Sequence, residues 1–284
     1  MIAPLRSVLF LPASNARALE KAKTLPVDAV VLDLEDAVAP EHKRDARAAV
    51  VEALHAGGFG PRRVIVRVNG LDTEWGDEDL IAAAGAAPDA ILAPKVDDAD
   101  AVEAYRLRMV QAPERTRLWV MIETCAGVLN LREIAGAGGR LGALVVGVND
   151  LSKDMKRPPS RDRSPLSTAL AMTVTAARAN ALAALDGVFN DLGDLAGLEA
   201  ECREGRAFGF DGKCLLHPDQ VEAANRVFSP TPEELAWARA VVDAFALPEN
   251  ADRGVLRVHG RMVERLHLEE AERIIETAGA AKAG

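Results

Sequence analysis

Short apolar, β-branched runs alternate along the chain with longer stretches in which polar and apolar positions recur at helical spacing. The runs are SVLFLP (7–12), AVVLDLE (29–35), VIVRVN (64–69), AILAPKV (90–96), LWVMIET (118–124), ALVVGVNDL (143–151), LAALDGVF (182–189) and GKCLLHP (212–218). Their shortness and near-continuous hydrophobicity predict strands covered on both faces, as in a parallel sheet. Between them, stretches such as EHKRDARAAVVEALHA and DDADAVEAYRLRMV set apolar residues at i, i+3 and i+4 against a polar face, which predicts amphipathic helices. The seventh run is the least distinct, because LAALD could equally end the helix before it. Eight strand–helix units in succession predict the α/β class and a (βα)8 TIM barrel over residues 1–228.

The rhythm changes after residue 228. SPTPEELAWARAVVDAFA opens with Ser and Pro cap signals and predicts a helix, followed by a loop and a second helix over RMVERLHLEEAERIIETA. Residues 229–284 are therefore expected to form a C-terminal helical extension that packs on the barrel or reaches a neighbouring subunit's active site.

Composition narrows the function. A formal charge of −9 and a pI near 5.2 argue against nucleic acid or an anionic membrane as partner, so an anionic ligand must meet a local basic patch. Cys125, Cys202 and Cys214 make no CxxC pair and no even framework, which predicts a reduced, cytoplasmic setting. No apolar run approaches membrane-spanning length, and SVLFLP is too short for a signal sequence.

A barrel collects its chemistry at the C-terminal ends of its strands. There the sequence places Asp33, Glu35, Asp36, Arg67, Asn69, Lys95, Glu123, Asn149, Asp150, Asp186, Lys213 and His217. Glu123 and Asp150 end consecutive strands about 5 Å apart, so both carboxylates can reach one ion, and hard oxygen ligands suit Mg2+ or Mn2+ rather than zinc. Singly, Glu123 could cap the following helix and Asp150 could make a turn. Arg67 can face a substrate oxyanion, form a structural salt bridge to the acidic LDLEDAV segment, or do both. Lys95 and Lys213 admit Schiff-base chemistry or pairing with nearby acids. His217, before Pro218, suits a structural hydrogen bond. GGFG (57–60) and GAGG (136–139) read as helix ends and turns rather than phosphate loops.

RSVLFLPASN, AVVLDLEDAVAPEHK, VRVNGLDTEWG, the IET and NDL of strands five and six, LDGVFNDLGDLAGLEAEC and GFDGKCLLHPDQVEAANRVFSP together resemble the citrate lyase β-subunit-like enzymes of the HpcH/HpaI aldolase superfamily. These include malyl-CoA, citramalyl-CoA and citryl-CoA lyases. VRVNGLDTEWG, GVNDLSKDM and MVERLHL further resemble the branch that contains bacterial (3S)-malyl-CoA thioesterases. The resemblance implies a Mg2+-bearing barrel acting on a CoA ester and assembled as a homotrimer or hexamer. It implies Glu123 and Asp150 as metal ligands, Arg67 as the substrate arginine, and CoA contacts near Phe10 and Lys21. Some relatives carry an arginine where this chain has Asn15, with Arg17 a candidate substitute. An aspartate donated by a neighbouring subunit as acid or base corresponds here to Glu264. The expectation is hydrolysis of a malyl-CoA-like thioester, or retro-Claisen carbon–carbon cleavage through an enolate. A citryl- or citramalyl-CoA lyase, a metal-dependent aldolase for a free keto acid and a non-catalytic CoA-ester-binding subunit are the alternatives.

Overall fold

In the computed structural model, residues 4–250 and 252–283 are described. They divide into two compact units, Leu5–Asn225 and the residues from Arg226 onward.

The first unit is a closed barrel of eight parallel strands: β1 (Ser7–Pro12), β2 (Ala29–Asp33), β3 (Arg63–Arg67), β4 (Ala90–Ala93), β5 (Arg117–Ile122), β6 (Leu141–Val146), β7 (Ala183–Asp186) and β8 (Gly212–Leu215). Each pairs with the next, and β8 closes on β1 through Val8 opposite Cys214. Around them run α1 (Ala16–Ala22), α2 (Lys43–Ala56), α3 (Gly76–Ala86), α4 (Ala99–Arg108), α5 (Cys125–Leu129), α6 (Leu131–Gly136), α7 (Val148–Asp154), α8 (Ser167–Ala179) and α9 (Leu195–Phe208). Every predicted strand is present, including the weakly marked seventh.

Strand residues alternate between the barrel interior and the helix layer. The inward set forms one buried cluster that includes Val8, Phe10, Val31, Ile65, Leu92, Trp119, Met121, Val145, Leu185 and Cys214. The same alternation carries Asp33, Arg67 and Glu123 inward at the carboxyl ends, while Asp186 and Lys213, laterally paired, point outward to the helices. These two are fully buried: Lys213 Nζ donates to Asp186 Oδ2 at 3.1 Å, Glu201 Oε1 at 2.8 Å and the Gly187 carbonyl at 2.5 Å. Arg163 adds a fork on Asp186 at 2.7 and 3.1 Å, so the loop between α7 and α8 is riveted to the outside of β7.

The end of the sixth run differs from expectation. Val148–Asp154 is helix α7 rather than strand, because Gly147 breaks the run and becomes its N-cap.

α10 (Val221–Phe228) spans the division between the units. The second unit contains α11 (Pro232–Ala246), β9 (Val255–Val258), β10 (Arg261–Glu264) and α12 (Arg265–Ala283). A capping box starts α11: the Thr231 main-chain N–H donates to Glu234 Oε2 at 2.7 Å, and Glu234 N–H returns a bond to Thr231 Oγ1 at 3.1 Å. Residues 261–264, expected to be helical, form a strand instead. His259 and Gly260 both take left-handed backbone, φ 45° and 80°, and a two-residue turn of that hand folds β9 onto β10. The hairpin buries Leu256, Val258 and Val263 with Val241, Phe245 and Ala271, and the Arg261 guanidinium lies 5.3 Å from the Trp237 ring. Among the described residues no helix is long and apolar enough to cross a membrane.

Candidate active site

The carboxyl end of the barrel gathers a charged cluster on an apolar floor. Arg67, the last residue of β3, is buried. Its Nε and Nη2 donate to Asp33 Oδ1 and Oδ2 at 2.7 and 2.6 Å, a bidentate fork that the lateral pairing of Asp33 with Arg67 makes possible. Nη1 lies 2.8 Å from Glu35 Oε2, 3.5 Å from Asp36 and 3.8 Å from the Met121 sulfur. Beneath it, the Phe10 ring centroid is 5.3 Å from the guanidinium carbon. Burial opposes the charge, yet Asp33 and Glu35 outweigh it and hold Arg67 protonated. The salt bridge to the acidic segment is therefore real, and it fixes the arginine at the barrel mouth.

Glu123 follows β5 directly and is buried. Its Oε1 accepts the Lys95 main-chain N–H at 2.8 Å; its Oε2 is buried with no hydrogen-bond partner. Burial, with Glu35 adding repulsion, pushes its pKa up to about 7. A lone buried carboxylate oxygen is costly unless something charged meets it. Room for it is made by Gly147: a Cβ there would lie 2.2 Å from Oε2 and 2.4 Å from the Glu123 Cβ. Gly147 N–H donates to the Ile122 carbonyl at 3.0 Å, which keeps β6 alongside β5 one residue beyond the strand. Asp150 then falls in the first turn of α7, the helix that Gly147 caps. Thr124, rather than Glu123, caps the following α5 by accepting from Gly127 N–H at 2.9 Å.

Glu35 is held on both sides, its Oε1 accepting from Lys95 Nζ at 2.5 Å. Burial raises its pKa against the pull of Arg67 and Lys95. For Lys95, burial is outweighed by Glu35 and its pKa is raised; the same holds for Lys213 between Asp186 and Glu201. Schiff-base chemistry needs an amine that gives up its proton readily, so both lysines are fitted to ion pairing. Behind the site, Lys43 Nζ donates to the carbonyls of Leu34 and Glu35 and to Asn69 Oδ1 at 2.9, 2.7 and 2.7 Å, and lies 5.2 Å from the Trp75 ring centroid. Asn69 in turn donates to Asp79 and Leu34, so it braces the loops.

The other expected residues make contacts of their own. Lys21 and Arg17 are exposed on α1, and Asn15 is its N-cap, accepting from Ala18 N–H at 3.1 Å. His217 caps the turn at Pro218. Asn149 exchanges amide bonds with Asn190 at 2.7 and 3.2 Å. In the basic stretch KRPPSRDR (156–163), Arg161 pairs with Asp191 and Asp194 and Arg163 with Asp186. Glu264 closes β10, its N–H donating to His267 Nδ1 at 2.9 Å.

Gly147 and Lys43 escaped the sequence reading. A glycine one residue past a strand, beside a strand that ends in a carboxylate, was the available signal for the first. Nothing in EHK marked the second.

What fits a hard divalent cation here is the buried Glu123 Oε2 without a hydrogen-bond partner, beside the space that a Cβ at Gly147 would fill. Among the described residues no group of three or more His, Cys, Asp or Glu side chains is arranged to hold a metal ion.

Known proteins share this arrangement's frame. The chain is 47% identical over 277 residues, 98% of its length and 95% of the relative's, to a (3S)-malyl-CoA thioesterase of Cereibacter sphaeroides. It is 34% identical to the citrate lyase subunit beta of Leuconostoc mesenteroides subsp. cremoris, covering 97% and 93%. Protein CitE of Mycobacterium tuberculosis, solved in complex with magnesium, acetoacetate and coenzyme A, superposes with a TM-score of 0.81 at 31% identity over 98% of this chain and 99% of that one. The profile of HpcH/HpaI aldolase/citrate lyase matches residues 6–218, the stretch that builds the barrel and brings Arg67 and Glu123 to its mouth. With that span matched and relatives this similar along nearly the whole length, the chain belongs to the HpcH/HpaI aldolase/citrate lyase family.

Proposed function

We propose that this protein is a magnesium-dependent enzyme that hydrolyses the thioester of a malyl-CoA-like substrate, a 3-carboxy-3-hydroxyacyl-CoA. The observation that carries the metal reading is the buried, unpartnered Glu123 Oε2 above Gly147. Preference for hydrolysis rests on the 47% identity to a (3S)-malyl-CoA thioesterase. Retro-Claisen cleavage by the same residues is the second reading, favoured by the 34% identity to a citrate lyase subunit beta.

Glu123 and Asp150 would hold Mg2+, with Mn2+ as the alternative of similar ligand preference. When bound, the cation supplies Lewis-acid polarisation of the substrate's carboxylate and adjacent hydroxyl. Arg67, locked by Asp33 and Glu35, presents fixed positive charge to the oxygen that becomes negative, the thioester oxyanion in hydrolysis or the enolate oxygen in cleavage. Phe10 and Met121 line the floor beneath Arg67 and exclude water there. Lys21, exposed on α1, is the proposed cation for the CoA phosphates. In hydrolysis, water oxygen bonds to the thioester carbon, the C–S bond breaks, and CoA leaves as the thiol. In cleavage, the hydroxyl proton is lost, the C–C bond breaks to an aldehyde, and the enolate carbon takes a proton. Glu264 of a second copy is the proposed acid or base, which requires an oligomer, proposed as a homotrimer or hexamer. Three cysteines without a disulfide support a cytoplasmic enzyme.

The test is incubation with Mg2+ and a panel of CoA esters, following free thiol and aldehyde separately, for wild type, Glu264→Asp and Glu264→Ala. Free thiol with no aldehyde supports hydrolysis. Aldehyde and acyl-CoA without free thiol moves the assignment to the lyase, and identical behaviour of all three proteins removes Glu264 from the chemistry.

A further inference from the structure

The site has two halves: Glu123, which faces the proposed cation, and Arg67, which faces the developing oxyanion. Lys95 touches the first directly and reaches the second through Glu35. The Lys95 main-chain N–H donates to Glu123 Oε1 at 2.8 Å, and its ammonium meets Glu35 Oε1 at 2.5 Å. The other oxygen of Glu35 lies 2.8 Å from Arg67 Nη1.

The main-chain contact depends on an uncommon conformation. β4 ends at Ala93 and Pro94 follows; Lys95 then takes φ 48°, the left-handed region that side chains bearing a Cβ adopt at a cost. Three residues on from Ala93, the chain is back alongside β5, Val96 N–H donating to the Met121 carbonyl at 3.4 Å. The excursion thus spans Pro94 and Lys95, and its product is an amide turned toward Glu123. Strain held at a single residue beside a charged site needs an explanation of this kind. Because Oε1 is occupied by that amide, Oε2 is the oxygen left without a hydrogen-bond partner, beside Gly147. Because Glu35 accepts from Lys95 through Oε1 and faces Arg67 Nη1 with Oε2, an ion pair at 2.8 Å without hydrogen-bond geometry, the guanidinium has a charged neighbour besides Asp33. The Lys95 side chain is half exposed, whereas Glu35 is buried, so the ion pair is anchored from the protein side.

We infer that Lys95 couples the two halves: its left-handed main chain aims Glu123 at the cation, and its ammonium, acting through Glu35, sets the orientation of Arg67. It is a positioning residue, and the inference rests on the functional reading above. The two parts separate experimentally because the amide belongs to the backbone and the ammonium to the side chain.

Lys95→Gly keeps the amide and adopts the left-handed region freely, but removes the ammonium. Its Mg2+ affinity, by calorimetry, should stay within about threefold of wild type, less than one decade in Kd. Its kcat on the best CoA ester should fall about ten- to a hundredfold with little change in KM, the loss expected for one charge-assisted contact that acts in the transition state. Lys95→Arg, which can still reach Glu35, should recover much of that kcat. Lys95→Val forces a β-branched side chain into the same backbone and should weaken Mg2+ binding about tenfold or more as the amide turns away. A large loss of Mg2+ affinity in Lys95→Gly would overturn the main-chain part, and an unchanged kcat in that variant would overturn the ammonium part. If Lys95→Val does not fold, the Lys95→Gly measurements alone decide both. Should wild type turn over none of the CoA esters, the functional reading fails, while Mg2+ affinity in Lys95→Gly still tests the main-chain part.

Discussion

Gly147→Ala adds a single methyl group where the structure leaves no space for one. The glycine sits at φ −98° and ψ 83°, a region alanine also occupies, so the backbone is not what the substitution disturbs. The disturbance is steric: the new Cβ would stand 2.2 Å from Glu123 Oε2, 2.4 Å from its Cβ and 3.1 Å from its Cδ. Unbonded carbons rest at about 3.5–4.0 Å, so Glu123 or the end of β6 must move by about 1 Å or more. Overpacking of this kind costs about 1–3 kcal/mol. In the metal-free protein part of that can be relieved by swinging the carboxylate aside. With a cation bound it cannot, because Oε2 is the proposed ligand, so much of the cost falls on the complex. A loss of about 1–3 kcal/mol corresponds to Mg2+ affinity lower by about fivefold to 150-fold. The clash with the Glu123 Cβ remains in both states and should lower Tm by about 2–4 °C for each kcal/mol it retains. Isothermal titration with Mg2+ and thermal unfolding without it read the two parts. Gly85→Ala is the control: no atom lies within 4 Å of its added Cβ on α3, so it should leave Mg2+ binding alone and stabilise the fold by about 0.5–1 kcal/mol. If Gly147→Ala binds Mg2+ as wild type does, the cradle has no role in metal binding and the reading of Glu123 Oε2 loses its main support.

Arg67→Lys cannot reproduce the fork on Asp33 and should cut kcat/KM about 10²- to 10³-fold, with a drop of a few degrees in Tm because Asp33 and Glu35 lose partners; near-normal turnover would make Arg67 structural only. Lys213→Met leaves buried Asp186 with Arg163 as its remaining ion-pair partner, and should destabilise by about 3–5 kcal/mol in denaturant unfolding; a change below about 1 kcal/mol would refute a tight cluster. Lys21→Ala should raise KM for a CoA ester a few-fold at low salt and flatten its dependence on ionic strength, and an unchanged salt profile would point to another entry route.

The barrel was legible because its strands are covered on both faces, so each appears as an apolar run whose ends the chemistry marks. Glu123 and Arg67 could be named for the same reason: charges in such runs have few explanations. What was not legible depends on neighbours distant in sequence. Lys43 supports the site from α2, 26 residues before Asn69, through contacts that only the closed barrel creates. The left-handed Lys95 reads as an ordinary residue after proline, since its conformation is imposed by the return to β5. NDL looked like strand because the apolar run carries past Gly147, yet the need for a small residue against Glu123 ends the strand and starts α7. RMVE looked like the first turn of α12 because its apolar spacing suits a helix; the His259–Gly260 turn and the pairing of Leu256 with Val263 overrule it.

The three tryptophans are distributed so that each surveys a different environment. Trp75 lies under the Lys43 ammonium behind the barrel mouth, Trp119 is sealed in the barrel interior, and Trp237 stacks with Arg261 in the second unit. Intrinsic fluorescence of the native chain is therefore a sum of three separable signals. Single-tryptophan variants, with phenylalanine at the other two positions, would turn one emission spectrum into independent reporters of the site wall, the barrel core and the extension. With them, a single denaturation series would tell whether the extension melts with the barrel or ahead of it, with no label attached.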